Sequence, residues 1–139
     1  DLRIKDIDFW WDRALNFDGE TGPYVQYTFA RCGSVMRKAG QLAAAPDYSA
    51  LEDDEAQAVL RLLARFPEDV RAACRTNEPF MVTRAVTELA KAYNKYYYEH
   101  RILEGEESAQ AARVQLTDAV RQVIRTGLYL IGMEAPERM

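Results

Sequence analysis

The chain enters its first long predicted helix through the stretch Phe17-Asp-Gly-Glu-Thr-Gly-Pro-Tyr-Val-Gln-Tyr27. The two glycines predict a tight turn, because glycine adopts the positive-φ conformations that side chains resist. Pro23 suits the first turn of a helix, where its fixed φ is favourable and its missing N–H would be unpaired in any case. We therefore predict an adaptable loop and then a helix that begins at Pro23. The loop residues are Gly19, Glu20, Thr21 and Gly22.

Two stripes of side chains follow the helical period from Pro23 to about Ala44. The apolar stripe predicts the side that faces the core, and it consists of Val25, Phe29, Cys32, Met36 and Ala39. The second stripe consists of Tyr24, Tyr27, Arg31 and Ser34. A helix with a purely structural role usually carries Glu, Lys and Gln on such a face, so this stripe is a candidate binding surface. Periodicity alone equally allows half-buried packing residues for the two tyrosines.

The rest of the chain also has helical periodicity, and no strand pattern of useful length is present. The predicted helices span residues 9–15, 23–44, 54–66, 67–74, 79–100 and 108–131, with Pro67 and Pro79 marking two of the starts. Five or six helices with short connections predict an all-α bundle in one domain, residues 1–139. Residues 1–8 are expected to be the tail of a connection from an upstream domain. Trp10 and Trp11 are interpreted as core or domain-contact residues.

Composition narrows the class of protein. A chain of 139 residues with 48% hydrophobic content can bury a core, and no apolar run is long enough for a membrane span. Cys32 and Cys74 lie at apolar helix positions, which predicts buried free thiols and suits a reducing, cytoplasmic compartment. With one histidine and no close Cys/His grouping, no metal site is predicted.

The charge distribution allows a local basic surface in an acidic chain. A net charge of −4 argues against indiscriminate coating of nucleic acid, which depends on phosphate neutralisation. Residues 47–55 hold five acids and no base, whereas residues 91–103 hold Lys91, Lys95 and Arg101 against Glu99. The acidic segment is assigned no nucleic-acid contact.

No arrangement of residues predicts catalysis. Asp12, Asp18 and Glu20 lie near the loop, and His100 follows Glu99. The chain offers no nucleophile motif, no metal-ligand spacing and no second carboxylate at a defined helical offset. These charged groups are interpreted as solvated surface residues.

Three landmarks carry a resemblance to a known family. The stretch 17–27 with Ala30-Arg31, the segment Ala92-Tyr-Asn-Lys-Tyr-Tyr97 and the end Gly127-Leu-Tyr-Leu-Ile-Gly-Met-Glu-Ala-Pro-Glu-Arg-Met139 occur in that order. Together they resemble the C-terminal anticodon-binding (DALR) domain of arginyl-tRNA synthetases. The resemblance implies the anticodon-binding helical bundle of class I aminoacyl-tRNA synthetases. The alternatives are the anticodon domain of another class I synthetase, such as the cysteinyl enzyme, the glycyl enzyme's tRNA-binding subunit, or a non-catalytic helical interaction module.

The resemblance also implies partners and a division of labour. It implies tRNA(Arg) as the partner and an upstream catalytic domain in the same chain, which would hold ATP and magnesium and ligate arginine to the tRNA. For this segment itself we expect no catalytic residue, no cofactor, no membrane contact and a monomeric state. The catalytic HIGH-type and KMSKS-type signatures of the family are absent from this sequence.

The predicted site combines the helix stripe with what the resemblance assigns. Unstacked loop bases bind by stacking on aromatic or guanidinium planes, at about 1–3 kcal/mol for each base–aromatic stack. The family uses positions matching Tyr24, Tyr27 and Arg31 at the anticodon loop, and the resemblance adds Tyr97 and the terminal Met139. Further along the helix, Arg37 supplies another guanidinium fork.

Supporting roles complete this hypothesis. Lys91 and Lys95 are candidate phosphate contacts, and Glu137 or Arg138 is expected to anchor the terminal turn. Because all arginine codons share a central G, the base being read would be a cytosine. Its donor and acceptors would be met by Arg31 or by backbone groups of the loop.

Overall fold

The computed structural model describes residue 8 and residues 10–14 and 21–139, and every regular element among them is helical. The helices are α1 (Trp11–Ala14), α2 (Gly22–Ala39), α3 (Asp54–Thr76), α4 (Phe80–Glu99) and α5 (Glu107–Leu130), with a short 3₁₀ helix at Tyr48–Leu51. The predicted all-α class is therefore confirmed for the described residues. None of the helices described is both long and apolar enough to cross a bilayer.

The four long helices form one bundle around a continuous core. Helix α3 packs along α4, α2 packs against α5, and α4 and α5 also meet. The largest fully buried side chains are Tyr93, Tyr96, Phe29, Leu89, Ile124, Leu128, Val59, Val86 and Val120. At the contact between α4 and α5, a Cβ on Gly127 would lie 2.1 Å from Cγ1 of Val86. Only glycine lets these two helices approach so closely.

Helix α2 begins at Gly22, one residue before the predicted start at Pro23, and it ends earlier than expected. The Thr21 hydroxyl accepts a hydrogen bond from the Tyr24 N–H at 3.4 Å, and Pro23 lies in the first turn. The helix ends at Ala39 because Gly40 takes a φ of 60°, and its N–H donates to the Met36 carbonyl. The predicted end at about Ala44 was wrong, because the spacing of apolar residues does not show where the backbone leaves the helical conformation.

Helix α3 is continuous where two helices were predicted. It begins at its cap residue Asp53, whose carboxylate accepts from the Ala56 N–H at 2.8 Å. Pro67 lies inside the helix and removes one hydrogen bond instead of ending it. Phe66 and Ala73 are both buried in the same core, so packing on either side of Pro67 holds the two halves in line. The division at Pro67 was therefore wrong.

The two cysteines differ in their surroundings, although both are free thiols. Cys32 is fully buried, and burial raises the pKa of its thiol to about 12. Cys74, in contrast, is exposed near the end of α3. The prediction of a buried thiol was right for Cys32 and wrong for Cys74.

The remaining boundaries lie close to the predicted ones. Helix α5 ends at Leu130, and Gly132 follows with a φ of 76°. Of the predicted helix 9–15, Trp11–Ala14 is helical as α1; Phe9 and Leu15 lie outside the described residues, as do residues 1–7 of the predicted tail. Trp10 and Trp11 are 62% and 70% exposed, so the core interpretation was wrong. Their role in a domain contact stays a prediction.

Candidate nucleic-acid interface

A groove of about 750 Å³ lies between α2, the C-terminal part of α4, the segment that follows α4, and the last residues of the chain. Its most prominent side chains are aromatic or basic. The lining includes Tyr27, Arg31, Ser34, Arg37, Lys38, Tyr97, Tyr98, His100, Arg101, Glu104, Arg138 and Met139. Segments that are far apart in sequence therefore build one concave surface.

Helix α2 supplies one wall of the groove because its other side is fixed in the core. Val25, Phe29 and Cys32 are buried, which orients the helix about its axis. Tyr27, Arg31 and Ser34 are spaced by four and three residues, so they project from one side of the helix. The apolar stripe thus determines where the tyrosine and arginine stripe points.

Arg31 brings two aromatic rings together. Its guanidinium carbon lies 4.8 Å from the ring centre of Tyr27 and 4.9 Å from that of Tyr97. Both distances are typical of cation–π contacts. The rings remain accessible, at 42% exposure for Tyr27 and 38% for Tyr97. This arrangement presents a positive charge and two aromatic groups at one point of the groove.

Tyr97 is braced from behind by a buried tyrosine. The ring centre of Tyr93 lies 6.3 Å from that of Tyr97 and 6.4 Å from that of Tyr96. The Tyr93 hydroxyl donates to the Thr117 hydroxyl at 3.2 Å, which links α4 to α5. Burial raises the pKa of Tyr93 well above its usual value, so its phenol stays neutral. Contact with the buried Tyr93 therefore fixes the position of the Tyr97 ring.

The last residues fold back against α2 and α5. The side-chain amide of Gln26 donates to the Glu134 carbonyl at 2.9 Å, and Arg37 donates to the Glu137 carbonyl at 3.4 Å. The Glu137 carboxylate accepts from Arg121 at 2.7 and 2.9 Å. Met139 reaches the groove as a result. Of the two anchors considered from the sequence, Glu137 makes these contacts, whereas Arg138 lines the groove.

The groove is basic although the chain as a whole is acidic. Five Arg or Lys residues line it, and Glu104 is its one acidic side chain. Glu104 pairs with Arg101 at 2.9 Å, so four cations remain without an acidic partner among the lining residues. Such a concentration of positive charge favours a polyanion.

Five of the predicted anticodon-contact residues meet in this groove: Tyr27, Arg31, Arg37, Tyr97 and Met139. Tyr24 does not line the groove, because it is half-buried and packs against the core. The roles of these residues in RNA binding stay predictions.

The remaining predicted residues lie elsewhere. Lys95 pairs with Glu55 at 3.1 Å, and neither it nor the exposed Lys91 lines the groove. In the adaptable loop, Thr21 caps α2 and Gly22 begins it, whereas Gly19 and Glu20 lie outside the described residues.

Sequence reasoning left several groove residues out of the site. Tyr98 is 86% exposed, and Lys38 and Arg101 join it in the lining. The run of three tyrosines at 96–98 could have indicated Tyr98, because three consecutive residues of a helix cannot all face the core. Of the three, only Tyr96 is fully buried. For Lys38, the available indication was its position next to Arg37, which was already a predicted site residue. No local pattern would have identified Arg101 as a groove residue.

A separate cluster joins α3 to the end of α4. Asp53, Glu55 and His100 place one potential ligand atom each within 4.8 Å of one another. Both carboxylates already have partners, because Asp53 caps α3 and Glu55 pairs with Lys95, whereas the His100 ring nitrogen lies 3.1 Å from Asp53 without making a hydrogen bond. The hydrogen bond from Lys95 lowers the pKa of Glu55. We interpret the cluster as a structural contact between two helices.

Comparison with known proteins places this geometry in context. A family model described as the DALR anticodon binding domain matches residues 25–139. Among curated proteins, the arginine–tRNA ligases of Halothermothrix orenii and Clostridioides difficile are each 47% identical over 138 residues, which is 99% of this chain. The chain spans 24% of the length of each of these relatives.

Solved structures agree at the level of the fold. An arginyl-tRNA synthetase from Thermus thermophilus superposes with a TM-score of 0.89 at 36% identity, over 97% of this chain and 24% of that one. An arginyl-tRNA synthetase from Plasmodium falciparum superposes with a TM-score of 0.79 over the same shares of the two chains. At 17% identity, the second match supports the fold alone.

Proposed function

This chain belongs to the family of DALR anticodon-binding domains, and from that membership we propose that it binds the anticodon loop of tRNA(Arg) as one domain of an arginine–tRNA ligase. The likeness to curated arginine–tRNA ligases along 99% of the chain supports the arginyl assignment over other class I synthetases. In this proposal, arginine, ATP and magnesium are handled by a catalytic domain in the same chain. The present chain positions the tRNA.

The observation that carries the proposal is the placement of Arg31 over the rings of Tyr27 and Tyr97. An anticodon loop presents unstacked bases, which bind on aromatic planes at about 1–3 kcal/mol per stack. Cytosine, the base shared by all arginine anticodons, carries acceptors at O2 and N3. The guanidinium of Arg31 supplies donors for these atoms, and the two tyrosine rings supply stacking surfaces.

The basic rim supplies the second part of the interaction. Arg37, Lys38 and Arg138 lie beside the aromatic centre, where phosphates on either side of a bound base would pass. Phosphate contacts hold the strand in register but do not distinguish bases. In this proposal, affinity comes from the rim and the rings together, whereas discrimination comes from the centre of the groove.

The returning tail contributes an apolar contact. Met139 lines the groove together with the basic rim residues, and its thioether suits contact with the face of a base. We place the whole enzyme in the cytoplasm as a monomer, where it would hold the anticodon loop while the acceptor end reaches the catalytic domain.

The proposal is tested with fluorescent anticodon stem-loops of tRNA(Arg) that differ only in the central cytosine. The chain should bind the cytosine-containing RNA more tightly than the same RNA with uridine at that position. Tyr27→Ala should weaken binding by about tenfold or more, because one stack is worth about 1–3 kcal/mol. Tyr129→Ala is the matched control, since Tyr129 is an exposed tyrosine outside the groove. Equal, salt-sensitive binding of both RNAs would refute the proposal.

A further inference from the structure

Asn94 connects Arg31 to the interior of the bundle. The guanidinium of Arg31 donates to Asn94 Oδ1, and Asn94 Nδ2 donates to the Thr28 hydroxyl at 2.8 Å. Thr28 is fully buried and donates in turn to the Tyr24 carbonyl at 3.0 Å. A chain of three hydrogen bonds therefore runs from the groove into α2 and joins it to α4.

The partners fix the orientation of the Asn94 amide. Arginine has no acceptor, so the oxygen of Asn94 must face Arg31. The Thr28 proton is directed at the Tyr24 carbonyl, so its hydroxyl oxygen is free to accept from the Asn94 nitrogen. Each end of the amide thus has one suitable partner, and the oxygen that faces Arg31 is held in place.

Arg31 depends on this contact for its direction. An arginine side chain has many rotamers, and the cation–π contacts with Tyr27 and Tyr97 constrain the distance to each ring more than the direction of the N–H groups. The hydrogen bond to Asn94 constrains that direction. Asn94 is half-buried and does not line the groove, so it acts on a bound ligand through Arg31.

We infer that Asn94 is a positioning residue for base discrimination: it aims the Arg31 guanidinium so that its remaining N–H groups meet the acceptors of a pyrimidine stacked at Tyr27 and Tyr97. This inference rests on the proposed function. A neutral amide suits the task, because it accepts a hydrogen bond from Arg31 without neutralising the charge offered to the RNA. A carboxylate at this position would keep the direction of Arg31 but offset its charge.

A double-mutant cycle tests the inference, with the ratio of affinities for the cytosine and uridine stem-loops as the readout. Asn94→Ala should reduce this ratio by about tenfold, because Arg31 would no longer be aligned to donate a hydrogen bond that distinguishes the two bases. In an Arg31→Ala background, Asn94→Ala should change the ratio by less than about twofold. Arg37→Ala gives the control cycle, since Arg37 lines the same groove and the effects of its loss and of Asn94→Ala should be independent.

Asn94→Asp provides a second variant that keeps the acceptor. It should keep the affinity ratio within about twofold of the unmodified chain while weakening binding of both RNAs alike. Thermal unfolding followed by circular dichroism establishes that each variant is folded, and loss of discrimination in Asn94→Asp overturns the inference even if Asn94→Ala does not fold.

The outcomes separate this inference from the proposed function. No discrimination by the unmodified chain would refute the proposed function itself. Discrimination that survives Asn94→Ala, or that Asn94→Asp abolishes, would overturn the role of Asn94 and leave the proposed function standing. An equal loss with and without Arg31 would show that Asn94 acts through the fold, which also overturns the inference.

Discussion

The carboxylate of Glu137 accepts two hydrogen bonds from one nitrogen of Arg121, at 2.7 and 2.9 Å. Arg121 itself lies over the buried ring of Phe29, with its guanidinium carbon 5.0 Å from the ring centre. Gly33 lies beside this contact, where a Cβ would be 3.2 Å from the Arg37 guanidinium and at an ordinary packing distance of 3.6 Å from a Glu137 carboxylate oxygen. The end of the chain is therefore tied to the core, and the position of Met139 in the groove depends on this ion pair.

Glu137→Gln should release the tail without unfolding the domain. Both partners are partly solvent-accessible, so the loss of stability should stay below about 1 kcal/mol. Amide hydrogen exchange should rise in residues 134–139, and binding of the cytosine stem-loop should weaken several-fold as Met139 leaves the groove. Glu134→Gln makes the same charge change in the tail, where Gln26 contacts the backbone carbonyl and not the side chain. Equal behaviour of the two variants would contradict a specific role for Glu137.

Salt dependence should separate the basic rim from the paired lysine. Removing a residue that contacts a phosphate lowers the slope of log affinity against log salt by about 1. Lys38→Gln and Arg138→Gln should each do so, because both side chains line the groove. Lys95→Gln should leave the slope unchanged, since Lys95 lies outside the groove and pairs with Glu55. A reduced slope for Lys95→Gln would restore its predicted role as a phosphate contact.

Local signals predicted most helix ends but not every packing partner. Pro23 and Gly132 act within a few residues of themselves, so the sequence alone indicates the helix ends near them. Whether Pro67 ends a helix depends on how residues before and after it pack against α4, and that information is not local. The same limitation explains why Cys74 is exposed. Its apolar position in the helical period does not show whether a neighbouring helix extends far enough to cover it.

The candidate site shows the same division. The stripe Tyr27, Arg31 and Ser34 follows from helical period, but a spacing of three residues leaves Tyr24 rotated by about 60° from Tyr27, which is enough to turn it towards the core. The meeting of Arg31 with Tyr97 depends on how α2 crosses α4. Family resemblance anticipated that pairing, whereas periodicity could not.

Replacing the proline inside α3 should stabilise the domain. Pro67→Ala restores the N–H that the helix lacks there and should raise the free energy of unfolding by about 1–3 kcal/mol, reduced by about 0.4–1 kcal/mol for the more flexible unfolded chain. Urea titration followed by circular dichroism measures the change. Pro79→Ala is the matched control, because Pro79 precedes α4 with a φ of −61°, where proline is already favourable. A destabilised Pro67→Ala variant would mean that the proline fits α3 without loss.

Glu88 should make stability depend on pH through its two arginine partners. Its carboxylate accepts from Arg84 of the same helix at 2.7 Å and from Arg65 of α3 at 2.6 Å. These contacts, that from Arg84 first, lower the pKa of Glu88 below its usual value. A lowered folded-state pKa contributes stability in full above the unfolded pKa, and the contribution is lost as the pH falls through the folded value.

Glu88→Gln should therefore destabilise the domain by about 0.5–1 kcal/mol near neutral pH, with a difference that shrinks as the pH falls below about 4.5. Urea titrations across this range measure the difference at each pH. Glu99→Gln is the control, because it makes the same change at the exposed end of α4 and should give a small difference throughout. If the difference between the unmodified chain and Glu88→Gln stayed constant into acid, the two arginine contacts would not be the source of the lost stability, and α3 and α4 would be held together at this point by packing alone.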